Sequence, residues 1–181
     1  MTARPTPTGA TGPIVRAAKP KRIRLDETDI RILAALQRDG RMTKVKLAET
    51  VHLSPSPCWE RLRRLEDAGL IAGYHARLNL DSLIKPTIVL VEVSLRSHRI
   101  DDFKAFEEAV QDVPEIVECW ATGGGVDYFL KVMAGDVDGY QRMIDGLLAA
   151  GIGIDRYFTY IVTKAVKRIP DLPVEDWVEA D

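Results

Sequence analysis

The sequence has little of what disulfide-bonded, metal-binding and membrane proteins require. Its 181 residues include two cysteines, Cys58 and Cys119, too far apart for a disulfide framework or a metal-site spacing. His75 and His98 have no cysteine or carboxylate partners at ligand spacing, so we expect no metal and no cofactor. No apolar run approaches the roughly 20 residues that cross a bilayer, and the first residues lack the apolar core of a signal peptide. We therefore expect a cytoplasmic protein with two reduced thiols.

Charge is distributed unevenly along the chain. Residues 1–80 carry 15 Lys+Arg and 8 Asp+Glu, a balance of +7, whereas residues 81–181 carry 10 and 19, a balance of −9. A basic half joined to an acidic half indicates that only the first half meets a polyanion, with a chance asymmetry as the alternative. Residues 1–20 are rich in Pro, Thr, Gly and Ala without apolar periodicity, so they are predicted to be a flexible tail.

Residues 21–79 have the pattern of a winged helix-turn-helix DNA-binding domain. Asp26 and Thr43 are placed to cap a first and a second helix, and the third begins at Ser54 with Pro55 as its first helical residue. Cys58, Leu62 and Leu65 form the buried stripe of that third helix, which stops at Gly69. Residues 70–79 are predicted to form a small hairpin, the wing.

After a linker at residues 80–86, apolar residues alternate with a period of two, as in strands. Strands are predicted at 87–95, 116–121, 126–133 and 154–166, and helices follow a cap at Asp101 or Asp102 and a cap at Asp136. The order β-α-β-β-α-β is that of a ferredoxin-like fold, so the chain is predicted to be an α+β protein. Residues 87–170 form this domain and residues 171–181 a C-terminal tail.

The strands are apolar on both faces, although two helices in this topology cover only one face of the sheet. A second copy of the domain is the simplest cover for the other face, so we expect a homodimer.

The outward side chains of the third helix are the candidates for reading DNA. Ser56 and Trp59 lie nearest the helix N-terminus, and Arg63 can bond a guanine edge or a phosphate. Arg61 and Arg64 are expected on phosphates, and Glu60 either accepts from cytosine or forms the simpler i,i+4 pair with Arg64. A solvated arginine surface is the alternative for all of them. The predicted DNA-binding residues are Arg41, Lys44, Lys46, Ser54, Ser56, Pro57, Trp59, Glu60, Arg61, Arg63 and Arg64.

The run from Leu53 to Glu66, Leu-Ser-Pro-Ser-Pro-Cys-Trp-Glu-Arg-Leu-Arg-Arg-Leu-Glu, resembles the recognition helix of the Lrp/AsnC (feast/famine) regulators. The opening at residues 25–33 and the later Val126-Asp127-Tyr128 resemble the same family, and the match spans about residues 24–170. The resemblance implies a C-terminal domain of the family's RAM type, dimers built through that domain, and assembly to tetramers, octamers or larger rings. It also implies that an amino acid or a related metabolite binds there. His52 stands where the family commonly has glycine in the turn before the recognition helix, and we interpret it as structural.

Family effector sites lie between subunits beside the turn that joins the second and third strands. The matching residues here are Thr122, Gly123, Gly124, Gly125, Val126 and Asp127. Backbone N–H groups of such a glycine turn can cradle a carboxylate, and Asp127 is the acid available for an amino group. Gly125 replaces an acid that the family often has, which opens room for a bulkier or differently charged ligand. A tight turn without a ligand is the alternative.

Together, these features predict a sequence-specific transcriptional regulator that responds to an amino acid or amino-acid-like metabolite and controls a nearby catabolic or transport operon. Residues 155–164 also resemble family members linked to the catabolism of amino-acid-like osmolytes such as ectoine. The alternative is an architectural protein that wraps DNA with little sequence preference and no effector. We expect no enzyme, because the sequence contains no catalytic triad, paired acids or phosphate-binding loop in a convincing context.

Overall fold

The computed structural model describes residues 23–167 and 171–180, so the predicted tail at residues 1–20 lies outside the described residues. The described chain divides into two compact units. The first contains residues 23–77 together with 167 and 171–180, and the second contains residues 78–166. The predicted C-terminal tail therefore belongs to the same unit as the three N-terminal helices.

The first unit is built on three helices, α1 (Glu27–Arg38), α2 (Lys44–Thr50) and α3 (Pro55–Asp67). Asp26 caps α1 by accepting from the backbone amides of Thr28 and Asp29, and Thr43 caps α2. Each side-chain cap satisfies an amide that has no partner inside the helix. The three helices bury one apolar cluster, which contains Ile32, Ala35, Leu47, Ala48, Val51, Cys58, Leu62 and Leu65.

Two turns in this unit depend on residues with positive φ. His52 has φ 58° in the turn between α2 and α3, which fits its interpretation as a structural residue in a position that favours glycine. Gly69 has φ 73° just after α3 and ends that helix. The predicted wing hairpin is wrong, because residues 72–79 follow α3 without regular secondary structure. In α3, the predicted stripe of Cys58, Leu62 and Leu65 is buried.

The second unit begins after a short 3-10 turn at Leu80–Ser82 within the predicted linker. Its elements are β1 (Thr87–Leu95), α4 (Ile100–Gln111), β2 (Ile116–Ala121), β3 (Tyr128–Ala134), α5 (Val137–Ala149) and β4 (Ile154–Ile161). The sheet has the order β2-β3-β1-β4 with every neighbouring pair antiparallel. This is the expected ferredoxin-like arrangement.

Three boundaries differ from the prediction. β3 begins at Tyr128 rather than at residue 126, and β4 ends at Ile161 rather than at residue 166. Neither Asp101 nor Asp102 caps α4, because the helix begins at Ile100 and its N-cap is Arg99. Asp102 instead accepts a hydrogen bond from the Ser97 hydroxyl. Asp136 caps α5 as predicted.

The two faces of the sheet differ in what covers them. Val89, Val91 and Val93 of β1 are fully buried against α4 and α5. The opposite face, here called the open sheet face, leaves large apolar side chains exposed: Leu90 by 39%, Trp120 by 47%, Phe158 by 52% and Tyr160 by 49%. Within residues 23–167 and 171–180, no helix is long and apolar enough to cross a membrane.

A short helix near the C-terminus, α6 (Val174–Trp177), packs on α1 within the first unit. The side chain of Gln37 bonds the backbone of Leu172 just before it. This helix lies in the segment predicted only as a C-terminal tail.

Candidate functional site

The N-terminal half of α3 presents a polar surface to solvent. Ser54, Ser56, Pro57 and Glu60 are exposed, and Arg63 is exposed one turn further along. The first turn of α3 contains no acidic residue. The partial positive charge of the helix N-terminus is therefore not offset by its own side chains, which suits an approaching phosphate.

Trp59 is 38% exposed, and its ring has a cationic partner. The Nζ atom of Lys44 on α2 lies 3.1 Å from the centroid of the Trp59 ring. Such a cation–π contact stabilises an exposed indole by about 0.5–1 kcal/mol. The contact also joins the two helices of the helix-turn-helix at the surface predicted to face DNA.

Arg61 and Arg64 lie on a different side of α3 and are engaged with α1. Asp29 is fully buried, and it accepts from Arg61 Nη1 at 2.9 Å and from Arg64. Arg61 also bonds the carboxylate of Asp26 at 2.6 Å. Backbone hydrogen bonding from Asp29, together with Arg61, lowers the pKa of Asp26 below 3.8, and Asp26 in turn raises the pKa of Arg61. The four side chains therefore form an ion-pair network between α1 and α3.

This network corrects one prediction. The expected i,i+4 pair between Glu60 and Arg64 is not formed, because Arg64 turns to the buried Asp29 instead. Arg63 is the arginine left outward, with only a 3.9 Å contact to the exposed carboxylate of Asp67. Contact of Arg61 and Arg64 with phosphates stays a prediction, and each would have to reach DNA while paired to α1.

Of the remaining predicted DNA-binding residues, Arg41 precedes α2, and Lys44 and Lys46 lie in its first turn. Arg41, Lys44 and Lys46 are all exposed. Lys46 is 3.6 Å from Glu49 on the same helix, an exposed pair that contributes little to stability. The structure thus places every predicted residue of this group on the α2–α3 half of the unit.

The second candidate site is the turn between β2 and β3. Thr122 and Asp127 close the turn, because the Thr122 amide donates to the Asp127 carbonyl at 2.9 Å and the Thr122 hydroxyl donates to Val126 O at 2.7 Å. In the described residues, the four amides from Gly123 to Val126 donate to no protein acceptor. Gly124 has φ 155°, a conformation that favours glycine. The turn is a row of free N–H donors that can receive a carboxylate.

Asp127 is mostly buried at the end of this turn, and both its carboxylate oxygens have partners. Oδ2 accepts from the Leu95 amide at 2.8 Å, and Oδ1 lies 3.1 Å from Nε2 of His98. The His98 ring is exposed and stacks on Phe103. A ligand amino group at Asp127 would therefore displace or join His98.

Two residues of these sites were missed by sequence reasoning. Asp29 is one of them, and the available signal was the spacing of Arg61 and Arg64, which lie three residues apart on α3 and can share a carboxylate. His98 was interpreted as isolated, and its approach to Asp127 depends on the pairing of β1 with β3. No local sequence pattern indicates that approach.

The two units correspond to two known domain families. Residues 25–72 match the model of a winged helix-turn-helix DNA-binding domain. Residues 88–172 match the model of the Lrp/AsnC ligand binding domain. The predicted DNA-binding residues fall within the first match and the glycine turn within the second.

Whole-chain comparisons agree with these matches. The transcriptional regulatory protein DoeX of Halomonas elongata is 58% identical over 81% of this chain and 92% of its own length. The leucine-responsive regulatory protein of Escherichia coli is 42% identical over 80% of this chain and 88% of its own. A transcriptional regulator of Neisseria meningitidis, solved with L-methionine, superposes with a TM-score of 0.78 and 36% identity, covering 85% of this chain and 99% of that one.

Proposed function

Because the chain belongs to the Lrp/AsnC family of transcriptional regulators, we propose that it binds a specific operator as a homodimer or larger assembly and that an amino acid or amino-acid-like metabolite controls this binding. Its target is a nearby catabolic or transport operon. The observation that carries the proposal is that one chain contains a helix-turn-helix with an exposed Arg63 and a glycine turn whose amides from Gly123 to Val126 have no acceptor among the described residues.

The ion-pair network between α1 and α3 suggests separate roles for the predicted DNA-binding residues. Ser56 and Arg63 read base edges, since both are exposed on the N-terminal half or middle of α3. Trp59 and Lys44 support that surface. Arg41 and Lys46 contact phosphates, while Arg61 and Arg64 hold α3 to α1 through Asp26 and Asp29.

The proposed effector binds at the turn from Thr122 to Asp127. Its carboxylate accepts from the backbone amides of the turn, and its amino group lies against Asp127. Two of the similar proteins support an α-amino acid as the ligand class, since one is named for leucine and one was solved with L-methionine. Because Gly125 has no side chain, the turn keeps room for a bulkier or differently charged ligand.

The proposed dimer forms through the open sheet face. Four large apolar side chains are exposed there, and their joint exposure to water is unfavourable in a monomer. Pairing two such faces gives a symmetric interface in which the same patch serves both subunits.

The test is binding of the purified protein to DNA from beside its own gene, with and without a panel of amino acids and their catabolic derivatives. We expect specific binding that one compound shifts, because only a ligand with different affinity for two states can move the equilibrium. A steep salt dependence with no preference over random DNA, and no effect of any compound, would favour the architectural protein instead.

The role of Asp127 is tested separately with Asp127→Asn. An asparagine oxygen can still accept from the Leu95 amide, so the turn is retained while the negative charge is lost. We expect the response to the effector to disappear while DNA affinity without effector is unchanged. Asp101→Asn, at an exposed carboxylate of α4, is the matched control. An Asp127→Asn protein that responds fully would refute the proposed amino-group site.

A further inference from the structure

The C-terminal segment, residues 171–180, is held on α1 by paired hydrogen bonds. Nε2 of Gln37 donates to the Leu172 carbonyl at 3.2 Å, and the Leu172 amide donates to Oε1 of Gln37 at 3.1 Å. One side-chain amide thus meets both backbone polar groups of one residue. This pairing defines the position and the direction of the segment, as strand addition does in peptide recognition.

Apolar and charged contacts extend the same docking surface. A cavity of about 350 Å³ lies between α1, the extended residues after α3 and the segment. Its walls include Leu33 and Leu36 from α1 and Leu172 and Val174 from the segment. Arg38 of α1 lies 3.6 Å from Glu175 of α6. An exposed pair of this kind adds little energy but favours the observed orientation.

The docked segment follows the last strand of the second unit along the chain, so the path of the chain into and out of the sheet matters. Val89 near the start of β1 pairs with Ile161 at the end of β4, and the Val162 amide donates to the Ile88 carbonyl at 2.9 Å. The chain therefore enters and leaves the sheet side by side. From this one end of the sheet, the chain continues in one direction to α3 and in the other to the docked segment.

We propose that the docked C-terminal segment is a second tether between the sensor domain and the DNA-binding unit, and that it sets the affinity for paired half-sites. The inference rests on the proposed function, in which a dimer reads two half-sites. A single flexible linker leaves each recognition helix many orientations. A second tether removes many of them and so raises the effective concentration of the second helix at its half-site.

The experiment compares the full chain with two altered proteins. Gln37→Ala removes both hydrogen bonds to Leu172, and a chain that ends at residue 170 removes the segment itself. Gln141→Ala is the matched control, because Gln141 is an exposed helical glutamine of the second unit whose side-chain amide bonds Asp145 on its own helix, at 2.8 Å. Hydrogen exchange at the Leu172 amide reports docking, and titrations with DNA of one or two half-sites report its effect on binding.

We expect Gln37→Ala to lose the protection of the Leu172 amide. We also expect Gln37→Ala and the shortened chain to bind the two-half-site DNA more weakly, on the order of tenfold, with single-half-site affinity unchanged. An unchanged affinity for two half-sites in both altered proteins would overturn the inference. Equal losses on one and two half-sites would also overturn it, since they would indicate damage to the DNA-reading surface. Failure of the unaltered protein to prefer any sequence over random DNA would refute the proposed function instead, and the exchange result would still decide whether the segment docks.

Discussion

Replacing the buried carboxylate of Asp29 should destabilise the DNA-binding unit far more than replacing an exposed one. Asp29 is fully buried and accepts from Arg61, from Arg64 and from the Asp26 amide at 3.1 Å. Removing one partner from a buried ion pair typically costs about 3–5 kcal/mol, because the other charges lose their compensation. Arg61 and Arg64 keep some contact with water, with side chains 32% and 47% exposed. We therefore expect Asp29→Asn to lower the free energy of unfolding by about 3 kcal/mol, the lower end of that range.

The assay is urea unfolding followed by the fluorescence of Trp59, in a protein where Trp120 and Trp177 are changed to phenylalanine. The signal then reports the three-helix unit alone. Asp67→Asn is the matched control, since the exposed carboxylate of Asp67 lies 3.9 Å from Arg63 and such a pair is worth less than about 1 kcal/mol.

Equal losses in the two variants would refute the argument that burial makes this carboxylate important. A loss in Asp29→Asn accompanied by a changed slope with urea would indicate an altered unfolded state rather than a broken network.

Three further outcomes are expected. Arg63→Ala should weaken operator binding by about 1–3 kcal/mol without changing the urea midpoint, and an equal loss on random DNA would assign it to phosphate instead. Burial, with a smaller effect of Glu107, raises the pKa of the Cys119 thiol to about 11. Iodoacetamide at pH 8 should therefore modify Cys119 about a hundredfold more slowly in the folded protein than in urea, and equal rates would contradict the burial. Phe158→Asp on the open sheet face should reduce the mass measured by light scattering to that of a smaller species, whereas Val137→Asp at an exposed position of α5 should leave it unchanged.

Local patterns were sufficient where the physical cause is itself local. Asp26 and Thr43 cap their helices by bonding amides within three residues, so the local sequence is enough to locate both helix starts. The apolar stripe of Cys58, Leu62 and Leu65 is buried as its helical spacing predicts. The β-α-β-β-α-β order follows from alternation and from turn residues in the same way.

Predictions failed where distant residues decide the outcome. The wing hairpin was inferred from apolar residues on both sides of a possible turn, but nothing in that pattern specifies a partner strand. The docking of Leu172 on Gln37 joins residues 135 positions apart, and neither has a distinctive neighbourhood in the sequence. The same holds for Arg64, which has a carboxylate one turn away but pairs with a buried one on another helix.

The register of the sheet has a consequence for how this architecture can diversify. The glycine turn adjoins the end of the sheet where Val93 pairs with Tyr128, whereas the chain enters at Thr87, six residues or about 20 Å away along β1. Substitutions that adapt the turn to a new metabolite therefore lie a strand length from both chain connections. Gene duplicates can acquire new ligands at one end of the sheet while the junction with the DNA reader at the other end stays the same.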